Sequence, residues 1–299
     1  MIGSTLLQGR DRYERVVEGW VDNSHEDAFT HTVRVHDDSF GVELSAVCTP
    51  SPGYEVREAR ARALTDRMDR AAASRLAELR GARMVAGFAG RLTDLAGAGA
   101  GSSFFVDAGI EVARLARQVA KLPREATAAM ATGGPRACWD LDATGWIDLP
   151  DSCFTYSQAG RALLETREVT TPMVADLYSP PPGASRVFVR KRVLRLVRTG
   201  PRLHCFHSMH DNVHGFDIHY EIEVESGRIA AADSITSRLP YQGLCTEPQG
   251  KIASLRGETV DAGLRKRIQP LVGRPADLHA RHRREPARGR PPRRPRSSR

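Results

Sequence analysis

The chain lacks the apolar runs and the cysteine patterns that would place it in a membrane or outside the cell. No segment of its 299 residues approaches the roughly 20 apolar residues that span a bilayer, and residues 1–20 mix acids with arginines rather than forming an apolar signal core. The five cysteines are an odd, scattered set without Cys-x-x-Cys, which argues against a disulfide framework. We therefore expect a cytoplasmic protein without a membrane partner.

Basic charge is also missing from most of the chain, although the sequence pI is about 9.6. Residues 274–299 hold ten arginines against two carboxylates, and this net charge of +8 equals the net charge of the whole chain. Residues 1–273 are thus close to neutral, which argues against a basic nucleic-acid surface in that part. We expect nucleic acid to bind only through the tail, non-specifically.

The Arg- and Pro-rich tail has no apolar period and is predicted to be disordered. One interpretation is an arm that binds phosphates. The other is a frameshift, because an alternative reading frame of residues 275–289 back-translates, with permissible codons, to Cys-Thr-His followed by an amphipathic helix. We favour the frameshift. Loss of a closing helix would leave an apolar patch through which the protein could associate with itself.

No catalytic motif is complete in this chain, but two stretches of sequence are repeated. A four-residue phrase occurs twice, 189 positions apart, as Asp22-Asn23-Ser24-His25 and Asp211-Asn212-Val213-His214. A gapless match with eight identities begins at Leu79 and again at Leu255, 176 positions further on. We interpret the chain as two copies of one module, with the Asp-Asn-x-His phrase as their shared polar feature.

The order of the predicted elements is the same in both copies: strands with alternating apolar and polar residues are followed by segments of helix-forming composition. In the first copy we predict strands at 13–21, 29–35 and 40–48, then helices at 55–79, 84–95 and about 112–122. In the second copy we predict strands at 187–197, 202–208, 218–224 and 229–235, then helices at 248–255 and 260–271.

This pattern predicts an α+β fold of two tandem modules packed as a pseudo-twofold pair. We place the modules at residues 1–123 and 186–273, followed by the tail at 274–299. Residues 124–185 connect them, and aromatic residues such as Trp139 and Trp146 indicate short strands or an ordered cover in this segment.

The second copy resembles the bacterial domain-of-unknown-function family 2889 over about residues 193–273, and the first copy would be a divergent duplicate at about 13–120. The features that carry the resemblance are Asp211, His219, Pro240-Tyr241 followed by Cys245, and Leu255-Arg256-Gly257. The Gly-Cys-Thr-His-Leu phrase that usually closes the family is absent after Gly273, where the alternative frame supplies Cys-Thr-His. The resemblance implies a fold and no established activity.

The densest group of polar side chains lies at 204–219, where five histidines occur in sixteen residues beside Asp211 and Asp217. Imidazole and carboxylate groups around a strand-turn-strand could hold zinc or another divalent ion, which is the only cofactor the sequence suggests. The workable ligand set is His210, Asp211, His214 and His219. The alternative is a polar hairpin whose histidines are hydrogen-bonded.

The repeated Asp-Asn-x-His phrase has two interpretations of its own. Asp211 with His214, and Asp22 with His25, could each form a carboxylate-oriented imidazole that serves as a catalytic general base. Alternatively, the Asp and Asn side chains cap turns by accepting backbone N–H groups, a role that does not need the histidine.

Two hypotheses about function therefore stay open. The first is a small-molecule enzyme or metal-binding protein that uses the His/Asp cluster near the strand-turn-strand. The second is a non-catalytic ligand-binding or assembly module. The sequence identifies neither a reaction nor a substrate.

Overall fold

The computed structural model describes residue 7 and residues 9–272, and the strands in this part of the chain form one antiparallel sheet. The strands are β1 (Arg12–Asp22), β2 (Phe29–His36), β3 (Gly41–Cys48), β4 (Val56–Ala63), β5 (Phe188–Thr199), β6 (Arg202–Asp211), β7 (Gly215–Glu223) and β8 (Ile229–Arg238). Their order across the sheet is β4-β3-β2-β1-β5-β6-β7-β8. With its helices, the sheet makes the fold α+β, as predicted.

The helices follow the strands of each half and also fill the segment between the halves. They are α1 (Arg70–Arg75), α2 (Phe88–Ala96), α3 (Ser102–Leu115), α4 (Arg124–Thr132), α5 (Gly134–Gly145), α6 (Gln158–Thr166), α7 (Ala175–Tyr178), α8 (Thr246–Gly250) and α9 (Leu264–Val272). Two 3-10 turns, Leu76–Leu79 and Ile252–Leu255, precede α2 and α9. The connecting segment is therefore a helical cover, α4 to α7, and not a set of short strands.

The sheet is symmetric in its order, with β1 and β5 paired at the centre and β4 and β8 at the edges. The same hydrogen bond recurs in both halves: the N–H of Gly81 donates to the carbonyl of Val56 at 2.7 Å, and that of Gly257 to Ile229 at 2.9 Å. Both glycines have positive φ, which suits a residue without Cβ. The sequence match that begins at Leu79 and Leu255 thus occupies corresponding places, although duplication itself stays a prediction.

The Asp-Asn-x-His phrases, in contrast, do not lie at corresponding turns. Asp22 ends β1, whereas Asp211 ends β6, and β6 corresponds to β2 in the symmetric order. The counterpart of Asp211 is Asp37, whose Oδ1 accepts the N–H groups of Ser39 and Phe40 at 2.7 and 2.8 Å. The expectation that the phrase marks one shared feature of both copies is wrong, because short strand-end motifs of Asp and Asn recur wherever a turn needs a cap.

The helix predicted at 55–79 is also wrong over its first half, where the structure has β4. Its sequence alternates, with Ala59 buried and Arg60 and Arg62 facing out, and that period of two fits an edge strand paired with β3. Helix propensity of alanine and arginine is a weak preference that sheet pairing overrides here. The strands predicted in the second half are confirmed within a few residues at their ends.

The helices pack on one face of the sheet, which we call the inner face. Helix α3 crosses β1, β2 and β3, and Phe105 and Val112 on α3 join the core. Gly19 in β1 permits this close approach, because a Cβ there would lie 2.7 Å from Cδ1 of Leu115. On the opposite, outer face, Phe206 and Ile235 remain 43% and 72% exposed.

The tail at residues 274–299, predicted to be disordered, lies outside the described residues. Among residues 9–272, no helix is both long and apolar enough to cross a membrane.

Candidate functional site

Asp211 stabilises the turn between β6 and β7, and this turn positions His214. Oδ1 of Asp211 accepts the N–H groups of Val213 at 2.8 Å and His214 at 2.6 Å, and the backbone N–H of Asp211 donates to the carbonyl of His214 at 2.8 Å. Next to it, Oδ1 of Asn212 accepts the N–H of Val189 at 2.8 Å. These bonds fix the backbone that carries the imidazole.

The imidazole of His214 lies directly on the carboxylate of Asp211. Its Nδ1 is 3.2 Å from Oδ1 and 3.3 Å from Oδ2. Because an ionised carboxylate can only accept, Nδ1 carries the hydrogen, and Nε2 is the acceptor of the neutral ring. No described residue forms a hydrogen bond with Nε2, so this nitrogen is free to act on a ligand.

Asp211 is held ionised although its side chain is fully buried. Nη2 and Nε of Arg190 lie 2.7 and 2.8 Å from its Oδ2. Burial alone would raise the pKa of Asp211, but the hydrogen bonds and charge of His214, together with Arg190, lower it to about 2. The carboxylate therefore stays negative throughout the neutral range and remains an acceptor for Nδ1 of His214.

Arg190 is in turn bound to Glu111, which lies on α3 of the first half. Its Nη1 is 3.3 Å from Oε1 of Glu111, and Arg192 and Arg114 approach Oε2 at 2.7 and 3.1 Å. Burial opposes ionisation of Glu111, yet the three guanidinium groups lower its pKa. We call Glu111, Arg190, Asp211 and His214 the buried charge chain, and it links α3 to the β6–β7 turn.

His214 and Val213 line a cavity of about 260 Å³ that lies between the connecting segment, the β6–β7 turn and the residues that follow α3 and β8. Most of the wall is apolar, with Leu149, Met173 and Leu177 among its residues. A cavity that combines apolar walls with convergent polar groups is typical of small-molecule sites. Its other polar groups come from Arg117, Gln118, Asp142, Ser152, Cys153, Thr155, Tyr156, Thr171, Tyr178, Tyr241 and Cys245.

A second buried carboxylate, Asp142 on α5, faces the same cavity. Three tyrosine hydroxyls donate to it: Tyr178 to Oδ1 at 2.7 Å, and Tyr156 and Tyr241 to Oδ2 at 2.7 and 2.5 Å. Burial raises the pKa of Asp142, which these hydrogen bonds partly offset. Burial and the adjacent carboxylate raise the pKa of all three tyrosines, so their hydroxyls stay protonated as donors.

The predicted metal ligands do not converge. His210 precedes Asp211 on β6 and therefore points to the outer face, where its Nε2 lies 3.3 Å from Asp217. His219 is on the outer face as well, stacked on Phe206 with ring centroids 4.6 Å apart. Asp211 and His214 lie on the inner side. Among the described residues, no three His, Cys, Asp or Glu side chains are grouped to hold a metal ion.

Asp22 and His25, the other predicted catalytic pair, are not joined either. Oδ1 of Asp22 accepts the backbone N–H of Arg186 at 2.7 Å, while His25 is exposed. Asn23 between them donates to the carbonyls of Pro180 and Pro181 at 3.0 and 2.8 Å. This turn anchors the connecting segment to β1 and does not form a second His–Asp pair.

Sequence reasoning missed the groups that surround His214. Glu111 lies in a mostly apolar segment with helix-forming composition, and the three tyrosines that bind Asp142 are scattered from Tyr156 to Tyr241. The one indication of these groups in the sequence was the aromatic content of residues 124–185, which predicted that this segment is ordered and covers other parts of the fold. Nothing in the pattern shows that the cover closes over the β6–β7 turn.

The cavity wall at Thr155 and Tyr156 depends on a close contact with α6. A Cβ at Gly160 would lie 2.3 Å from the carbonyl oxygen of Phe154 and 2.5 Å from that of Thr155. We expect Gly160→Ala to lower the free energy of unfolding by about 1–3 kcal/mol, measured by chemical denaturation, because backbone must move. Gly90→Ala in α2 is the matched control, since a Cβ there meets nothing within 4 Å. An equal change in the free energy of unfolding for Gly160→Ala and Gly90→Ala would contradict the close contact at Gly160.

Comparison with known proteins supports one relationship. No curated protein and no solved structure matches the chain significantly. Residues 198–277 match the family described as Protein of unknown function (DUF2889), and this segment includes β6, β7 and the turn that carries His214. The match confirms the resemblance of the second copy, and it does not extend to the first. This segment is thus similar to the DUF2889 family, and the match covers 80 of the 299 residues.

Proposed function

We propose that the protein is a small-molecule enzyme whose site is the cavity beside the β6–β7 turn, with His214 as its general acid–base. The observation that carries the proposal is the contact between Nδ1 of His214, which lines the cavity, and the buried, ionised carboxylate of Asp211. Asp211 orients the ring and fixes a hydrogen on Nδ1, and Nε2 exchanges a proton with the substrate.

The buried charge chain supports this role because a turn does not require it. Capping of the turn needs only Oδ1 of Asp211, and the histidine side chain adds nothing to it. Burial of Arg190, Glu111 and Asp211 costs desolvation energy that an apolar core would avoid. A chain of charges that fixes one imidazole is the arrangement that a pre-organised acid–base group needs.

The test is a depletion assay with the full chain. The protein is incubated with a mixture of cellular small molecules, and mass spectrometry follows which compounds disappear. We expect His214→Ala to slow the consumption of the substrate by roughly 10²–10⁴-fold, the usual contribution of general acid–base catalysis.

His210→Ala is the matched control, because His210 lies four residues away on the outer face and binds Asp217 instead of Asp211. It should leave the rate unchanged. Equal losses in both variants, or consumption that does not depend on His214, would overturn the proposal. A compound that binds without being consumed would instead identify a non-catalytic binding module.

A further inference from the structure

The cavity contains a buried charge that acid–base chemistry at His214 does not use. Asp142 is only 5% exposed, lines the cavity and accepts three hydroxyl hydrogen bonds. All three hydroxyls are placed to donate to its oxygens, an arrangement that favours the ionised carboxylate and offsets part of the effect of burial on its pKa. The three donors thus favour a negative charge at the cavity wall, which a bound cation would stabilise further.

Asp142 is also the carboxylate of this wall without a cationic partner. Among the described residues, no Lys, Arg or His lies within ion-pair distance of it, whereas Asp211 is paired with Arg190 and His214. Arg117, which lines the cavity too, is paired with Asp148. Hydroxyl donors disperse the charge of Asp142 but do not neutralise it, and a buried charge without a counter-charge is costly.

Aromatic rings surround this carboxylate at the cavity wall. Trp146 and Tyr178 meet at 80° with centroids 5.4 Å apart, and Tyr156 and Tyr241 meet at 85° and 6.2 Å. Pairs of perpendicular rings turn their faces in different directions, and the face of each ring attracts a positive charge. Donation of the tyrosine hydroxyls to an anion adds electron density to the rings and strengthens that attraction.

We propose that the cavity binds a small organic cation, an ammonium or quaternary ammonium group that neutralises Asp142 against the rings of Trp146, Tyr156, Tyr178 and Tyr241. This inference rests on the proposed function only because it names the class of substrate for the same cavity. The volume of about 260 Å³ limits the ligand to a compact molecule. The cationic group lies at Asp142, and the reacting part of the substrate faces His214.

The test compares two probes of nearly equal size on the full chain, tetramethylammonium and the uncharged tert-butanol, by calorimetric titration at constant ionic strength. We expect tetramethylammonium to bind at least about tenfold more tightly, in line with a desolvated cation–π site. Asp142→Asn should reduce its affinity to that of tert-butanol. Equal affinity of the two probes for the unaltered protein overturns the proposal without any variant.

Two ring variants keep the test decisive if Asp142→Asn does not fold. Tyr156→Phe retains the ring and should keep the preference for the cation, whereas Trp146→Leu removes a ring and should weaken it. The reverse ranking would contradict a cation–π site.

The two proposals can fail separately. His214→Ala should still bind tetramethylammonium. If turnover depends on His214 but no cation preference exists, this inference fails and the enzyme proposal stands. If the cation binds and nothing is consumed, the enzyme proposal fails alone.

Discussion

Replacing Arg190 by methionine is expected to lower the free energy of unfolding by about 3–5 kcal/mol, the usual cost of leaving buried charges without their partner. The side chain is 6% exposed and contacts two carboxylates, Glu111 and Asp211, that are 1% and 0% exposed. Methionine keeps much of the volume but supplies no charge. Urea denaturation monitored by circular dichroism measures the loss.

Arg192→Met is the control for that prediction. Arg192 is 26% exposed, and its only ion pair among the described residues is with Glu111, which keeps Arg190 and Arg114 when Arg192 is removed. We expect a loss of at most about 1 kcal/mol, as for a partly exposed ion pair. If the two variants were equally stable, the buried charge chain would not hold α3 to the β6–β7 turn.

Acid is expected to destabilise the protein through His31 by about 3 kcal/mol between pH 7 and pH 4. This residue of β2 is 1% exposed, and neither ring nitrogen has a hydrogen-bond partner among the described residues. Burial lowers the pKa of His31 to about 4, against a smaller opposite effect of the backbone of Ala46 and Phe29. The folded protein thus binds the proton less readily than the unfolded chain.

The pH range follows from the two pKa values. The contribution of His31 to the free energy of unfolding is complete above the pKa of the unfolded chain, about 6.5. It is lost as the pH falls from there to about 4, and below that pH it changes no further. Because carboxylates such as Asp211 also titrate at low pH, the informative quantity is the difference between the native chain and His31→Leu at each pH. That difference should move in favour of the variant over this range. If the free energies of unfolding of the native chain and of His31→Leu changed in parallel with pH, His31 would not be the buried, neutral imidazole described.

The sequence predicted the sheet better than the arrangement around it. Alternation in β5 to β8 is strong because one face of each strand is buried, so these strands were found directly. In β4 the same alternation uses alanine and arginine, which are common in helices, and propensity gave the wrong element. Register was also misjudged when the Asp-Asn-x-His phrases were aligned, since short turn motifs do not identify which turn they occupy.

The candidate site could be predicted only where it is local in sequence. Asp211 and His214 are three residues apart, and their phrase identified them as a pair. His210 and His219 were grouped with them because spacing alone does not say which side of a strand faces a centre, and the one-residue step from His210 to Asp211 changes the face. Glu111 and Asp142 come from helices more than sixty residues away from the turn, and only the fold brings them to it.

The most direct test of the functional site is a crystallographic fragment screen on the full chain, which requires no knowledge of the substrate. We predict that bound fragments concentrate in the cavity between His214 and Asp142, with a polar atom about 2.6–3.2 Å from Nε2 of His214. Fragments that occupy the outer face of the sheet or the pocket beside Asn23 and Lys121, with the His214 cavity left empty, would contradict the account.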